Sequence, residues 1–388
     1  GSPIFRVCQK LRTLKPILKS LNKKDFSDIS VRVTNAKATL ESSQIRLDED
    51  PLNLVLQTEE RDAYSKFVEL SKVEECLAHQ KSRVLWLGLG DRNSKFFFRS
   101  VKCNTNRGRI HSVVLTNGEK ITKSVEVYDT FVNSFAELFG KPFSDDYHGF
   151  ERINSLGKNR VTMSQYELLA RDVTNMEIHD VFWSLKAYKA TGPAGYSAGF
   201  FINAWEVVGK EVTAAINSFF SSGELLKELN STTIALMPKI PNAEKVGDYR
   251  PISCCNTVYK CISKIIANMI KVVLPDLVDP VQSAFVEGRR TSDNIFLSQE
   301  LMRGYHKSSP TPKCTMKVDI MKAYDNVRWE FVIDILRAMG FPPIFIRWIS
   351  SCMTSPSFSI SLIGSLLGYF KGARGLRQGD RISTYLFV

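Results

Sequence analysis

The chain has 388 residues, enough for roughly two or three domains with a sizeable buried core. Its 44% hydrophobic and 24% charged residues exclude wholesale disorder, and no stretch nears the roughly 20 uninterrupted apolar residues of a membrane-spanning helix. Lysine and arginine number 52 against 40 acids, a net charge of +12 that favours a polyanionic partner such as nucleic acid.

The start, Gly1-Ser2-Pro3-Ile4-Phe5-Arg6, has no apolar run after its basic residue, so it does not read as a secretory signal. Without Met at position 1 the sequence reads as a piece of a longer frame. Residues 1–88 read as a helical hairpin. Leu11, Leu14, Ile17, Leu18 and Leu21, and then Tyr64, Phe67, Leu70, Val73 and Leu77, recur at helical spacing. Between them Asp50 is the expected N-cap of the second arm and Pro51 its first helical residue.

A basic extension with a β-hairpin is expected over 89–150. Around its start Lys81, Arg83, Arg92, Lys95, Arg99, Lys102, Arg107 and Arg109 face one acid, Asp91, and are interleaved with Trp86, Phe96, Phe97 and Phe98. Cations among aromatics suit phosphate contacts with base stacking, and the same aromatics also suit a core. Thr116-Asn117-Gly118 joins Ile110–Leu115 to the stretch from Glu119 as a hairpin turn. Residues 141–160, polar with Gly and Pro, read as a linker that carries Asp145-Asp146.

Beyond 161 short apolar runs alternate with helical patterns. Lys186-Ala187-Tyr188-Lys189-Ala190-Thr191-Gly192-Pro193-Ala194-Gly195 makes a tight turn beside a basic helix end. Leu236-Met237-Pro238-Lys239 and Asp248-Tyr249-Arg250-Pro251-Ile252-Ser253 are two short strands, and their prolines confine them to sheet edges or bends. Lys239 and Arg250 can grip a triphosphate there, or stand as solvated cations on a hairpin. Ile262, Ile265, Ile266, Met269, Ile270 and Val273 form a core helix stripe ended by Pro275.

Cys314 to Ile320 alternates like a strand. Asp319 near its end, followed by a turn, is a place to hold Mg²⁺ at a transferring phosphate. Asp325 opens a helix from Asn326 to Met339, as its N-cap or in a catalytic role, and Gly340 ends that helix. In Gly372-Ala373-Arg374-Gly375-Leu376-Arg377-Gln378-Gly379-Asp380 the glycines make a flexible backbone that can approach a ligand, and Asp380 can cap the next helix. The cysteines, Cys8, Cys76, Cys103, Cys254, Cys255, Cys261, Cys314 and Cys352, form no CxxC pair and lie away from the histidines. Reduced thiols in a cytosolic or nuclear protein, with neither zinc nor a disulfide framework, are expected.

In this order the segments resemble the reverse transcriptase of LINE-type (non-long-terminal-repeat) retrotransposons, the plant-like members above all. That family carries a KAxGPDG-like turn, an LIPK-like strand, an RPIS strand, a KxDxxKAFD segment and a GxRQGDPxSPxLF loop and helix. Gln282-Ser283-Ala284-Phe285-Val286-Glu287-Gly288-Arg289 matches a further family segment. Gln80-Lys81-Ser82-Arg83 through Trp86-Leu87-Gly88-Leu89-Gly90-Asp91, with Asn93-Ser94-Lys95-Phe96-Phe97, resembles the extension that precedes the polymerase.

The resemblance implies an α+β fold: a polymerase right hand preceded by the helical hairpin, with fingers over 161–312 and an incomplete palm over 313–388. It implies RNA-directed DNA polymerase activity on an RNA template, a DNA primer and deoxynucleoside triphosphates, with Mg²⁺ as cofactor. Asp319 looks like the catalytic, metal-binding carboxylate, and Tyr324 like the aromatic gate under the sugar. Lys239 and Arg250 look like the grip on the triphosphate, and Gln378 like the loop residue at nucleotide and template. Lys81, Arg83, Trp86, Arg99, Arg107 and Arg109 would bind RNA. A nuclear or cytoplasmic location, not secretion, is implied.

Two metal ions roughly 3.5–4 Å apart need several anionic ligands. In the family these come from a Phe/Tyr-x-Asp-Asp hairpin past the Gln-loop helix, which the sequence, ending at Phe387-Val388, does not reach. The family's acid in the Gly-Pro turn is Ala194 here, and two of its prolines are Arg381 and Thr384. The expectation is a truncated reverse transcriptase, inactive as an isolated chain, with 313–388 loosely packed. The rival expectation is a non-catalytic nucleic-acid-binding scaffold.

Overall fold

A computed structural model describes the chain except for residues 83, 85–93, 108, 144–146, 148, 157–158, 304, 306–313 and 363–364. Two compact units appear: Lys10–Arg109, and Gly1–Gln9 together with Ile110–Val388. Helix α1 (Pro3–Asp25) passes from one to the other.

In the unit Lys10–Arg109, α2 (Ile29–Glu49) and α3 (Leu54–Ser82) pack as a hairpin. Arg46 pairs with Glu59 across it at 2.8 Å, and Gln44 donates to Glu60 at 3.2 Å. The expected cap moves. Asn53, not Asp50, accepts the Val55 and Leu56 amides at 3.0 and 3.3 Å, while Pro51 lies in the turn before the helix. The reason is local: Asp50 is taken by the Asn53 side chain at 3.1 Å, which fixes a short turn ahead of the first helical residue. Helix α4 (Ser94–Arg107) packs on α3, with Phe97 buried edge-on against His79. The expected division at 88–89 lies outside the described residues.

The larger unit mixes helix and sheet. Strands β1 (Val113–Val114) and β2 (Lys120–Ile121) form the expected hairpin, two residues a side, with Gly118 at φ 86° in its turn. Helix α5 (Ser124–Gly140) buries Val127, Phe131, Phe135 and Phe139, four residues apart and so on one face. Within the expected linker 141–160, residues Phe150–Leu156 form helix α6. It packs on a later helix, so its apolar contacts outweigh the polar composition that suggested a linker.

Helices α7 (Met163–Ala170), α8 (Asn175–Trp183), α9 (Ala198–Asn203) and α10 (Trp205–Ser222) follow. Thr162, Thr174 and Ser197 cap three of them by accepting the amide three residues on. The main sheet has four strands in the order β4-β3-β5-β6: β4 (Tyr249–Cys255), β3 (Ser231–Pro238), β5 (Ser357–Leu362) and β6 (Ser365–Lys371). β3 is antiparallel to β4 and parallel to β5, and β5 is antiparallel to β6. Ile234, Leu236, Phe358 and Ile360 meet the α5 stripe in one core.

Pro251 lies on an edge strand, as proline requires, but β3 is interior. Its Pro238 is tolerated because pairing with β5 stops at Ala235. Helix α11 (Thr257–Leu277) buries the whole stripe from Ile262 to Val273. It runs past Pro275, contrary to expectation, because only its final residues follow the proline. Helices α12 (Thr291–Met302), α13 (Trp329–Ala338), α14 (Pro343–Thr354) and α15 (Arg381–Phe387) complete the set.

Two expectations fail near α13. Cys314–Ile320 is irregular and exposed, not a strand, with Val318 72% exposed. Alternation makes a strand only beside a partner, and none of the sheet pairings reaches this segment. Asp325 lies in a short 3-10 turn, Tyr324–Asn326, and α13 starts at Trp329, so Asp325 is not its N-cap. Residues beyond 323 are not loose as a whole. Trp329, Phe345, Trp348, Ile360, Leu376 and Ile382 are core.

Candidate functional site

Several of the segments singled out in the sequence meet around the loop that carries Gln378. Gly375, at φ +85°, donates its amide to the Val327 carbonyl at 2.8 Å, and Leu376 donates to the Tyr324 carbonyl at 2.8 Å. A Cβ at Gly375 would lie 2.8 Å from the Asp325 carbonyl oxygen, so glycine alone fits. Gln378 Nε2 donates to Asp325 Oδ1 at 2.8 Å, and the Gln378 carbonyl accepts the Ser253 amide of β4 at 2.7 Å. The Gly-Pro turn joins through Asn256, the residue after β4. Asn256 Oδ1 accepts the Ala194 amide at 3.0 Å, and Nδ2 donates to the Leu229 carbonyl at 3.0 Å. Gly192 is also obligatory here, since a Cβ would strike the Asn256 nitrogen at 2.4 Å. The turn is thus packed against the end of β4.

The Gln378 loop is fixed from below, not flexible. Arg377 is buried, donating to Asn230 Oδ1 at 2.6 Å, to the Cys352 carbonyl at 2.9 Å and to the Tyr259 hydroxyl. Its guanidinium lies 4.2 Å from the centre of the Tyr259 ring. Asp380 faces it at 3.1 Å, the two side chains 5% and 3% exposed. Asp380 sits at the N-cap position of α15 without capping it. Its oxygens are occupied by the Tyr259 hydroxyl at 2.6 Å and by Ser263, because a buried carboxylate must be paired before it can serve a cap.

Of the residues nominated from the sequence, Lys239 and Arg250 are exposed at the loop end of the β3–β4 hairpin, where Met237 pairs with Arg250. Lys239 donates to the Gly247 carbonyl at 2.7 Å. Tyr324 is half-buried, its ring stacked 4.3 Å from that of Phe387. Burial pushes the Tyr324 phenol up, against a hydrogen bond with Thr384. Asp325 is buried, and burial pushes its carboxyl above the usual carboxylate range. The Gln378 hydrogen bond and the charges of Lys322 and Lys239 oppose that rise. Hairpin cation, turn acid and loop glutamine therefore share one electrostatic neighbourhood. Asp319 is not drawn into it by any hydrogen bond or ion pair of the site, and lies in the exposed 314–320 segment.

For a divalent ion the donor set does not fit. Among the described residues no three His, Cys, Asp or Glu side chains gather as a metal site. Asp325 is hydrogen-bonded and disfavoured as an anion, which leaves Asp319 as one exposed carboxylate. Among the described residues no cysteine takes part in a disulfide. Burial pushes Cys255 up to about 11 and Cys352 up to about 12, which suits inert core thiols.

Of the RNA-binding candidates, Lys81, Arg99 and Arg109 are exposed, while Arg83, Trp86 and the Arg107 side chain lie outside what is described. Helix α4 shows Lys95, Phe98, Arg99 and Lys102 exposed at helical spacing on one face, opposite the buried Phe97. Sequence reading missed Asn230, Asn256, Tyr259 and the Arg377–Asp380 pair. For the two asparagines the signal was a polar residue at the boundary of an apolar strand, which reads equally as turn chemistry.

Residues 238–388 match the family model described as reverse transcriptase (RNA-dependent DNA polymerase). The chain is similar to the "Transposon TX1 uncharacterized 149 kDa protein" of Xenopus laevis, 27% identical over 311 residues, covering 80% of this chain and 24% of that protein. It is also similar to the "Retrovirus-related Pol polyprotein from type-2 retrotransposable element R2DM" of Drosophila melanogaster, 26% identical over 186 residues, covering 48% and 17%. A type-1 R2 element polyprotein of Nasonia vitripennis is 24% identical over 229 residues, covering 56% and 20%. The chain spans less than a quarter of the length of these relatives.

Proposed function

We propose, for a chain that belongs to the reverse transcriptases of LINE-type (non-long-terminal-repeat) retrotransposons, that the Gln378 loop, the Tyr324–Asp325 turn and the β3–β4 hairpin form the site of an incoming deoxynucleoside triphosphate in RNA-templated DNA synthesis. The observation that carries the reading is the convergence of separate sequence segments on Gln378, tied by hydrogen bonds to Asp325 and to Ser253.

The roles follow from chemistry. Arg250 offers a fork of donors to phosphate oxygens, and Lys239 a point charge. Tyr324, backed by Phe387, presents a rigid ring where a sugar would lie, so an added 2′-hydroxyl meets a wall. With Nε2 committed to Asp325, Gln378 keeps its side-chain oxygen, Oε1, for the ligand. Asp319 is the proposed metal-facing acid, and Mg²⁺ suits its hard oxygens. One exposed carboxylate does not make a site for that ion, and the reading rests on nucleotide and RNA binding. Lys81, Arg83, Trp86, Arg99, Arg107 and Arg109 are proposed to bind RNA, supported by the cation and aromatic face of α4. Fingers over 161–312 and palm over 313–388, of a right hand, belong to the same reading.

Titration with a fluorescent deoxynucleoside triphosphate tests it. Arg250→Gln is expected to weaken binding about tenfold, the worth of a charge-assisted hydrogen bond. Tyr324→Ala is expected to narrow the preference over the ribonucleotide. Equal affinity in wild type and both variants would overturn the assignment.

A further inference from the structure

The turn from Lys186 to Gly195, held to the end of β4 through Asn256, supplies none of the proposed nucleotide contacts but walls a cavity of its own. This pocket, of about 290 Å³, is lined by Lys186 and Lys189 from that turn, Lys260 from α11, and Gly379, Asp380 and Arg381 just past Gln378. Four cations thus surround one small concavity. The single acid in the wall, Asp380, is already engaged by Arg377, Tyr259 and Ser263. Lys260 is half-buried and held toward the turn by donating to the Ala190 carbonyl at 2.5 Å.

We propose that this pocket grips one backbone phosphate of a nucleic-acid strand. The proposal rests on the polymerase reading of the chain, and adds a contact beside the Gln378 loop made by residues other than Lys239 and Arg250. A tetrahedral phosphate offers several acceptor oxygens to several lysines at once. Burial lowers the Lys260 pKa and Lys189 pushes it the same way, a mutual repulsion that an anion between them relieves. A strand source is favoured over a free nucleotide because the wall begins at Gly379, the residue after Gln378. A strand whose base meets Gln378 carries its own phosphate past Arg381.

The test is filter binding of labelled oligo(U) RNA to the full chain across a salt series, beside titration with dTTP. For single strands log K falls with log salt by about 0.7 for each phosphate neutralised. The triple variant Lys186→Gln/Lys189→Gln/Lys260→Gln is expected to lose about 0.7 of that slope, since its three cations serve one phosphate. That is roughly a fivefold loss of affinity at about 0.1 M salt. Affinity for dTTP stays unchanged. The variant Lys186→Gln/Lys189→Gln/Lys260→Arg, which keeps the charge at Lys260, guards against a folding artefact and is expected to lose less.

An unchanged slope in the triple variant would overturn the proposal. So would a loss near 2.1, which marks three lysines on separate phosphates of a diffuse basic surface. Loss of dTTP binding with RNA binding intact would overturn the strand source in favour of a nucleotide. Weaker dTTP binding in Lys239→Gln is read separately, so failure of the pocket and failure of the nucleotide site stay distinguishable.

Discussion

Replacing Asp380 with alanine leaves the Arg377 guanidinium buried without its carboxylate. Both side chains are almost completely removed from solvent, at 5% and 3% exposure, so water cannot screen the lost partner. Breaking a buried pair from one side costs about 3–5 kcal/mol. Arg377 keeps Asn230 Oδ1 at 2.6 Å, the Cys352 carbonyl at 2.9 Å and the Tyr259 ring, which places the loss near the lower end, about 3 kcal/mol. Against a total stability of roughly 5–15 kcal/mol that is a large share. In urea melts followed by tryptophan fluorescence, a slope of about 3 kcal/mol per M turns it into a midpoint about 1 M lower. Asp380→Asn is expected to lose nearly as much, because the charge and not the shape is missing. Arg377→Met with Asp380→Leu is expected to regain most of the loss, since an apolar pair has no charge to desolvate. A loss below about 1 kcal/mol in Asp380→Ala would refute the view that this pair fixes the Gln378 loop.

Gly375→Ala forces a positive φ on a residue with a Cβ and drives it against the Asp325 carbonyl, so a loss of about 2 kcal/mol and weakened nucleotide binding are expected in melts and titration. The raised Asp325 pKa means its folded form prefers the proton, so this contribution is present below the unfolded value of about 3.9 and is lost as pH rises through the higher folded value. Asp325→Asn, which keeps an acceptor for Gln378, is expected to gain stability over wild type across that rise and to hold a constant gain above it. A pH series of denaturation midpoints reads this, and parallel curves would contradict it. Arg99→Gln with Arg109→Gln is expected to lower the salt slope of RNA binding by about 1.4, measured by filter binding. An unchanged slope would remove the proposed interface.

Much of the helical framework was legible because its signals are local. The α11 stripe from Ile262 to Val273 and the Asn117-Gly118 turn need only spacing and dihedral preference, and both appear where expected. The site was legible by order along the chain, not by geometry. Nothing in the sequence says that Gln378 would reach Asp325, since that contact depends on Gly375 folding against residues 325–327 from fifty positions away. Asp325 read as a cap because an acid before a helix has that local use, and burial took the carboxylate elsewhere. Cys314–Ile320 shows the opposite case: its alternation is a correct local signal, but a strand also needs a neighbour, and a neighbour is a property of the whole fold. Asn230 and Asn256 were overlooked because a lone asparagine at a strand boundary is ordinary turn chemistry until its partners are seen.

The most direct measurement is photocrosslinking with an azido-purine deoxynucleoside triphosphate, followed by mass spectrometry of the labelled peptides. Adducts are expected on the peptides that carry Tyr324 and Gln378, and they should fade in Lys239→Gln and Arg250→Gln. Labelling confined to residues 10–109, or unaffected by both variants, would contradict a nucleotide site at the Gln378 loop.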